Sequence, residues 1–110
     1  MTDQGDEPRH YLVRFAPEAL GHLDRIEAHI AGRGSPMNAA AHVDAIVEAC
    51  MALNFMPHRG TSHGDIRPGL RTTIYAETTV IAFDIDEGRG EVTIIGVLST
   101  SQDWPRVLSG

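Results

Sequence analysis

The sequence predicts an α+β domain of order β-α-α-β-β-β, with a helical hairpin packed on one face of a mainly antiparallel four-stranded sheet. Three observations predict it. Two stretches carry apolar residues at helical spacing and are separated by a glycine-rich joint, Gly32 to Gly34. Three short β-rich runs follow, at residues 70–76, 79–85 and 91–98, divided by turn residues. One alternating run, residues 10–15, precedes the helices. At 110 residues the chain is one small domain, and its 42% hydrophobic content suffices for one core. Residues 9–110 are read as that domain, and the polar, acidic residues 1–8 as a disordered lead.

Each element has its own signal. In the first strand Tyr11, Val13 and Phe15 share one face, and Leu12 and Arg14 the other. Pro17 opens the first helix, where its missing N–H costs nothing, and Glu18 favours the positive end of the helix dipole. Leu20, Leu23, Ile26 and Ile30 form its apolar stripe, with His22, Asp24, Arg25 and His29 off it. Ser35-Pro36 reads as an N-cap and first-turn proline for the second helix. Its stripe is Ala40, Val43, Ile46, Val47, Cys50 and Leu53, and Pro57 stops it. A hairpin of two helices makes the next strand, residues 70–76, run antiparallel to the first. Turns around Glu77-Thr78 and at 87–90 link the remaining strands.

Two strands carry more apolar residues than one buried face requires. In the third, Ile81, Phe83 and Ile85 share a face, yet Val80 and Ala82 occupy the other. In the fourth, Val92, Ile94 and Leu98 share a face, yet Ile95 and Val97 occupy the other. A sheet covered on one side alternates more cleanly. Either the tail after residue 98 folds back over the second face with Trp104, Val107 and Leu108, or a partner chain covers it.

The formal charge is −6, and all nine basic residues are arginine. That balance argues against a general nucleic-acid binder, which needs a basic surface to displace counterions. A single cysteine, Cys50, fits a reducing compartment, and its place on the helical stripe makes it a core residue. No apolar run approaches the roughly 18 residues of a membrane span, and the start does not read as a signal peptide. A soluble, cytoplasmic protein is expected. The chain has no GxGxxG, no P-loop and no nucleophile elbow. His58, His63 and Asp65 match no zinc spacing, so neither metal nor cofactor is expected. Asp84, Asp86 and Glu87 read as the approach to a solvated turn, and no catalytic centre is apparent.

The most distinctive stretch is residues 57–76, PHRGTSHGDIRPGLRTTIYA. Pro68-Gly69 suits the centre of a type II turn, and Arg67, before a proline, is pushed toward extended backbone. Arg67 and Arg71 thus flank a tight turn near Asp65. Either they make a solvated salt bridge, or they are placed donors for a carboxylate or phosphate partner.

Taken with the opening YLVRFAPEA, the Ser35-Pro36 hinge, the strands VIAFDID and VTIIGVL and the closing SQDWPRVL, this stretch resembles the RelE/ParE superfamily of type II toxin–antitoxin toxins, and its ParE branch in particular. The likeness runs from about Tyr11 to Leu108. It implies a RelE/ParE-like toxin fold and a bacterial toxin neutralised by an antitoxin encoded beside it. ParE-type members inhibit DNA gyrase; RelE-type members cleave ribosome-bound mRNA. An RNA-cleaving member needs cationic and acid–base groups after the last strand. Here residues 98–104, LSTSQDW, supply no arginine, lysine, histidine or tyrosine. That favours a binding-type gyrase inhibitor, which is not an enzyme. The alternatives are an mRNA endonuclease, and an inactive member retained for antitoxin binding; the latter arises because Thr100-Ser101-Gln102-Asp103 replaces a Gly-Gly-Arg-Asp-like phrase common in the family.

The expected antitoxin surface is Arg67, Arg71, Tyr75, Val80, Ile95 and Val97, met by the antitoxin's C-terminal segment in a hetero-oligomer. The expected target surface is Asp103, Trp104 and Arg106. Neither a membrane nor direct nucleic-acid binding is expected.

Overall fold

The structure, a computed structural model, describes residues 10–109. The expected disordered lead at 1–8 lies outside the described residues. Strand β1 (Leu12–Phe15) precedes helices α1 (Pro17–Gly32) and α2 (Pro36–Met51). Two single-turn 3-10 helices, Ala52–Asn54 and Pro57–Arg59, lead into β2 (Thr61–Ser62). Then come β3 (Arg71–Tyr75), β4 (Thr79–Asp86), β5 (Glu91–Ser99) and the short α3 (Trp104–Leu108). The fold is α+β, with a helical hairpin on a mainly antiparallel sheet ordered β1-β5-β4-β3-β2. The sheet has five strands and not four, because the two-residue β2 pairs with Arg71 and Thr72 at one edge.

The expected direction of the 70–76 strand is corrected. β1 is parallel to β5, and β4 is antiparallel to both β5 and β3, so β3 runs the same way as β1. The strand that leaves the helices in the opposite direction is β2, and the loop after it reverses the chain once more. One short strand, β2, accounts for the difference. Local signals fared better: the Ser35 hydroxyl caps α2 by accepting the Asn38 N–H at 3.1 Å. Pro17 and Pro36 both lie in the first turn of their helices.

Two apolar layers sandwich the sheet. On the helical side Ala19, Leu23, Ile46, Cys50 and Leu53 pack on Val13, Ile81, Phe83, Val92, Ile94 and Val97. On α1 the buried position is Ala19 and not Leu20, which is 50% exposed; the small side chain lies where the helix packs on β5. On the other side Leu70, Ala82, Leu98 and Leu108 form a second cluster, joined by Ile66, Ile95 and Trp104. The tail therefore folds back and covers the second face.

The face assignment along β5 is also corrected. Opposite β4, Phe83 faces Ile94 while Ala82 faces Gly96, which leaves Ile95 as an extra residue. Such a bulge shifts the alternation by one position. Val97 thereby joins Val92 and Ile94 against the helices, and Leu98 turns with Ile95 toward the tail.

Two outcomes follow from this packing. Leu108 is 3% exposed, so Leu108→Ala should cost about 2–5 kcal/mol in urea unfolding, showing that the tail is part of the fold. Cys50 is fully buried, and burial pushes its thiol up to about 12. Labelling of native protein by a thiol reagent should therefore track global unfolding, and fast labelling below the urea transition would contradict the buried position.

Candidate functional site

The 57–71 loop is built by close contacts. Met56 takes a left-handed conformation, with φ of 54°, just before Pro57. A Cβ on Gly60 would lie 2.8 Å from the Thr72 carbonyl oxygen and 2.9 Å from the Phe83 ring, so only glycine allows this approach. Arg71 locks the arrangement: its Nη2 donates to the carbonyls of His58 at 2.8 Å and Gly60 at 3.1 Å. Its Nε is buried without a hydrogen-bond partner. Arg71 is thus a brace between β3 and the loop through its Nη2. The turn beyond it is as read from the residues: the Leu70 N–H donates to the Arg67 carbonyl at 3.0 Å, and Gly69 has φ of 80°.

That turn projects exposed Arg67 into a cleft of about 650 Å³ on the second face. Glu18 and His22 of α1, Asp84 of β4, Ile95 of β5 and Val107 and Leu108 of α3 also line it. Burial raises the Asp84 carboxyl above its ordinary range; Arg67 opposes that shift and Asp86 adds to it. His22 is lowered, chiefly by burial and secondarily by Arg25, with Glu18 opposing. The bulge explains why His22 is here. The Val97 N–H, two residues beyond the extra one, donates to His22 Nδ1 at 3.1 Å, which places the ring proton on Nε2.

The residues singled out in the sequence divide sharply. Arg67 and Ile95 meet in the cleft. Val80 and Val97 are 0% and 1% exposed, so they offer no surface to a partner. Tyr75 packs partly buried against the helical-side core. Trp104 is half-buried against the second cluster, with its ring edge-on to His63 at 5.3 Å. Asp103 and Arg106 are exposed, and Val107 beside them is 51% exposed. His58 and His63 serve separate contacts. His58 Nε2 meets Glu87 Oε2, and Glu87 Oε1 accepts the Tyr11 hydroxyl at 2.7 Å, whereas His63 Nε2 pairs with the Thr72 hydroxyl at 2.9 Å. Among the described residues no three His, Cys, Asp or Glu side chains converge as a metal site.

Glu18, His22 and Asp84 were missed as cleft residues, because they lie off the helical stripe or at a strand end. Gly96, a lone glycine inside an apolar strand, was the available signal for the bulge that recruits His22.

His22 should make stability depend on pH. The folded protein binds this proton less tightly than the unfolded chain, so its contribution is complete above the unfolded pKa of about 6.5. It is lost as pH falls from there through the lower folded value. His22→Asn, whose Oδ1 can accept the Val97 N–H without titrating, should flatten the stability slope between about pH 7.5 and 5.5. Equal slopes for the two proteins in urea titrations would contradict the assigned hydrogen bond.

Comparison with known structures shows the same fold. A chain from "Chromosomal ParDE TA system from P. aeruginosa" superposes with a TM-score of 0.70 at 22% identity, covering 82% of this chain and 96% of that one. A chain of the toxin–antitoxin complex RelBE2 from Mycobacterium tuberculosis gives 0.67 at 22% identity, covering 88% and 99%. A search of curated proteins finds no match. Among the described residues no helix is long and apolar enough to cross a membrane. The family model for the ParE toxin of the type II toxin–antitoxin system, parDE, matches residues 13–104. That span is most of the chain, which therefore belongs to the ParE toxin family within the RelE/ParE superfamily.

Proposed function

We propose that this toxin acts by binding DNA gyrase, that it does not cleave RNA, and that a cognate antitoxin holds it inactive. The observation that carries the reading is the charge of the cleft on the second face. Glu18 and Asp84 line it against a single arginine, Arg67, and His22 keeps its neutral form under the pull of burial. An RNA backbone entering that cleft meets two carboxylates, whereas a polyanionic backbone is held by an extended basic surface. The net charge of −6 and the absence of lysine work the same way at long range.

The surface left for a target is the outer side of α3, where Asp103, Arg106 and Val107 are exposed. Trp104 supports that helix from within through His63 and the second cluster. The antitoxin surface narrows to Arg67, Ile95 and Tyr75, with the open edge of β3. β2 pairs only with Arg71 and Thr72, so, among the described residues, 73–75 leave that edge free for an added strand. Because Arg67 and Ile95 share a cleft with Val107, an antitoxin seated there covers the target surface directly.

The test pairs a supercoiling assay on purified gyrase with an mRNA-cleavage assay on translating ribosomes. The expected result is inhibited supercoiling with intact message. A double variant, Arg106→Glu with Val107→Asp, should lose inhibition by at least about tenfold while its melting temperature stays unchanged, since both residues are exposed. Cleaved message with unaffected supercoiling would replace this reading by the endonuclease. Silence in both assays would indicate an inactive member kept for antitoxin binding.

A further inference from the structure

A second cavity, of about 540 Å³, opens at the other end of β5, between the tip of the helical hairpin and the end of the sheet. It shares no lining residue with the cleft beside α3. Arg25 and His29 reach it from α1, one helical turn apart, and His42 reaches it from α2. The sheet side supplies the hydroxyl-bearing residues Thr78, Ser99 and Ser101. Among the described residues no Asp or Glu lines this cavity. Arg33 stands behind His29, with its Nη1 at 3.5 Å from His29 Nε2, and a guanidinium there leaves the ring's Nδ1 as its donor. Ile26, Ile30 and Leu98 form an apolar wall.

The sheet-side rim is held in place before any ligand arrives. Ala76 and Glu77 both have left-handed backbones, with φ of 52° and 65°, and neither is glycine. The turn after β5 clamps them: the Thr100 N–H donates to the Thr78 carbonyl at 2.9 Å. In the same turn the Ser99 N–H donates to Gln102 Oε1 at 2.8 Å. Ala76 and Glu77 are the centre of the β3–β4 hairpin turn, whose type I′ geometry takes positive φ at both positions.

We infer that this cavity binds a small organic phosphate, its phosphate among Arg25, His29 and His42 and its apolar body against Ile26, Ile30 and Leu98. Donors arriving from two helices and the sheet edge suit a tetrahedral group with three terminal oxygens better than a planar carboxylate, which one arginine satisfies bidentately. The volume lies within the range of small-molecule sites. The inference is independent of whether gyrase is the toxin's target.

Adenosine monophosphate is the probe, titrated by calorimetry alongside adenosine and inorganic phosphate, with histidine ring resonances followed by NMR. Saturable binding of adenosine monophosphate is expected, with inorganic phosphate weaker and adenosine undetectable. The His29 and His42 rings should shift, and those of His10 and His58 should not. Arg25→Gln and His42→Gln should each weaken binding at least about tenfold, whereas Arg14→Gln, remote from the cavity, should not. Arg25 and His42 are exposed, so neither variant should lower the melting temperature. No saturable binding at millimolar probe would overturn the inference. So would adenosine binding as tightly as its monophosphate, or equal losses in all three variants, which would mark only diffuse charge attraction.

Discussion

The rest of this structure depends on one extra residue in β5. Were the strand regular through Ile95, with no bulge, Val97 and Leu98 would exchange faces. The helical hairpin would then lose an apolar contact, and the tail would meet a poorer surface. With the bulge, one nine-residue strand supplies both layers: Val92, Ile94 and Val97 below the helices, Ile95 and Leu98 below α3. A bulge leaves a backbone donor out of the ladder, and α1 repairs it through His22. A Cβ on Gly96 would sit 3.2 Å from both the His22 ring and Leu108, so the glycine lets helix and tail close together over the strand. Bulge, histidine and glycine act as one device, which fixes where the tail lies and therefore where the cleft opens.

The arginine phrase works by division of labour. Arg71 is consumed in holding the loop to β3 through two carbonyls. This brace, with Gly60 pressed on Phe83, gives the Pro68-Gly69 turn a firm base. Arg67, at the turn's start, is left exposed over the cleft. Two guanidinium groups that look equivalent in sequence thus sit differently, one bracing the loop and the other exposed over the cleft.

What was legible in the sequence was whatever local chemistry determines: the α+β order, the Ser35 cap, the Pro68-Gly69 turn and the burial of Cys50. Those features depend on neighbours within a few residues. What was not legible depended on long-range pairing. A two-residue strand such as Thr61–Ser62 carries no periodicity to detect, yet it added one strand and reversed the next. The bulge shifted Val97 into the core and removed it from any partner surface. Placing Leu20 on the buried stripe of α1 followed from weighting large apolar residues over Ala19, which is the one fully buried. In the site, Arg67 and Ile95 were legible because turn and strand signals point at them. Glu18, His22 and Asp84 became visible only when α1, β4 and the tail came together.

The cleft contains a carboxyl pushed up and an imidazole pushed down, the kind of separation that marks acid–base pairs in enzymes. The hydrogen bonding argues for a different use. A general base needs an open lone pair, and the basic nitrogen of His22, Nδ1, is taken by the Val97 N–H. Only Nε2–H remains, which is a donor. Asp84, raised by burial, must act without a partner base in the cleft beyond Glu18, another carboxylate. Transition-state charge in phosphodiester cleavage is negative, and two carboxylates oppose it. Burial of both groups where α1 and the tail pack on a bulged strand accounts for the two shifts. A surface of this kind, with one free arginine, a neutral donor and an apolar edge, is suited to recognising another protein.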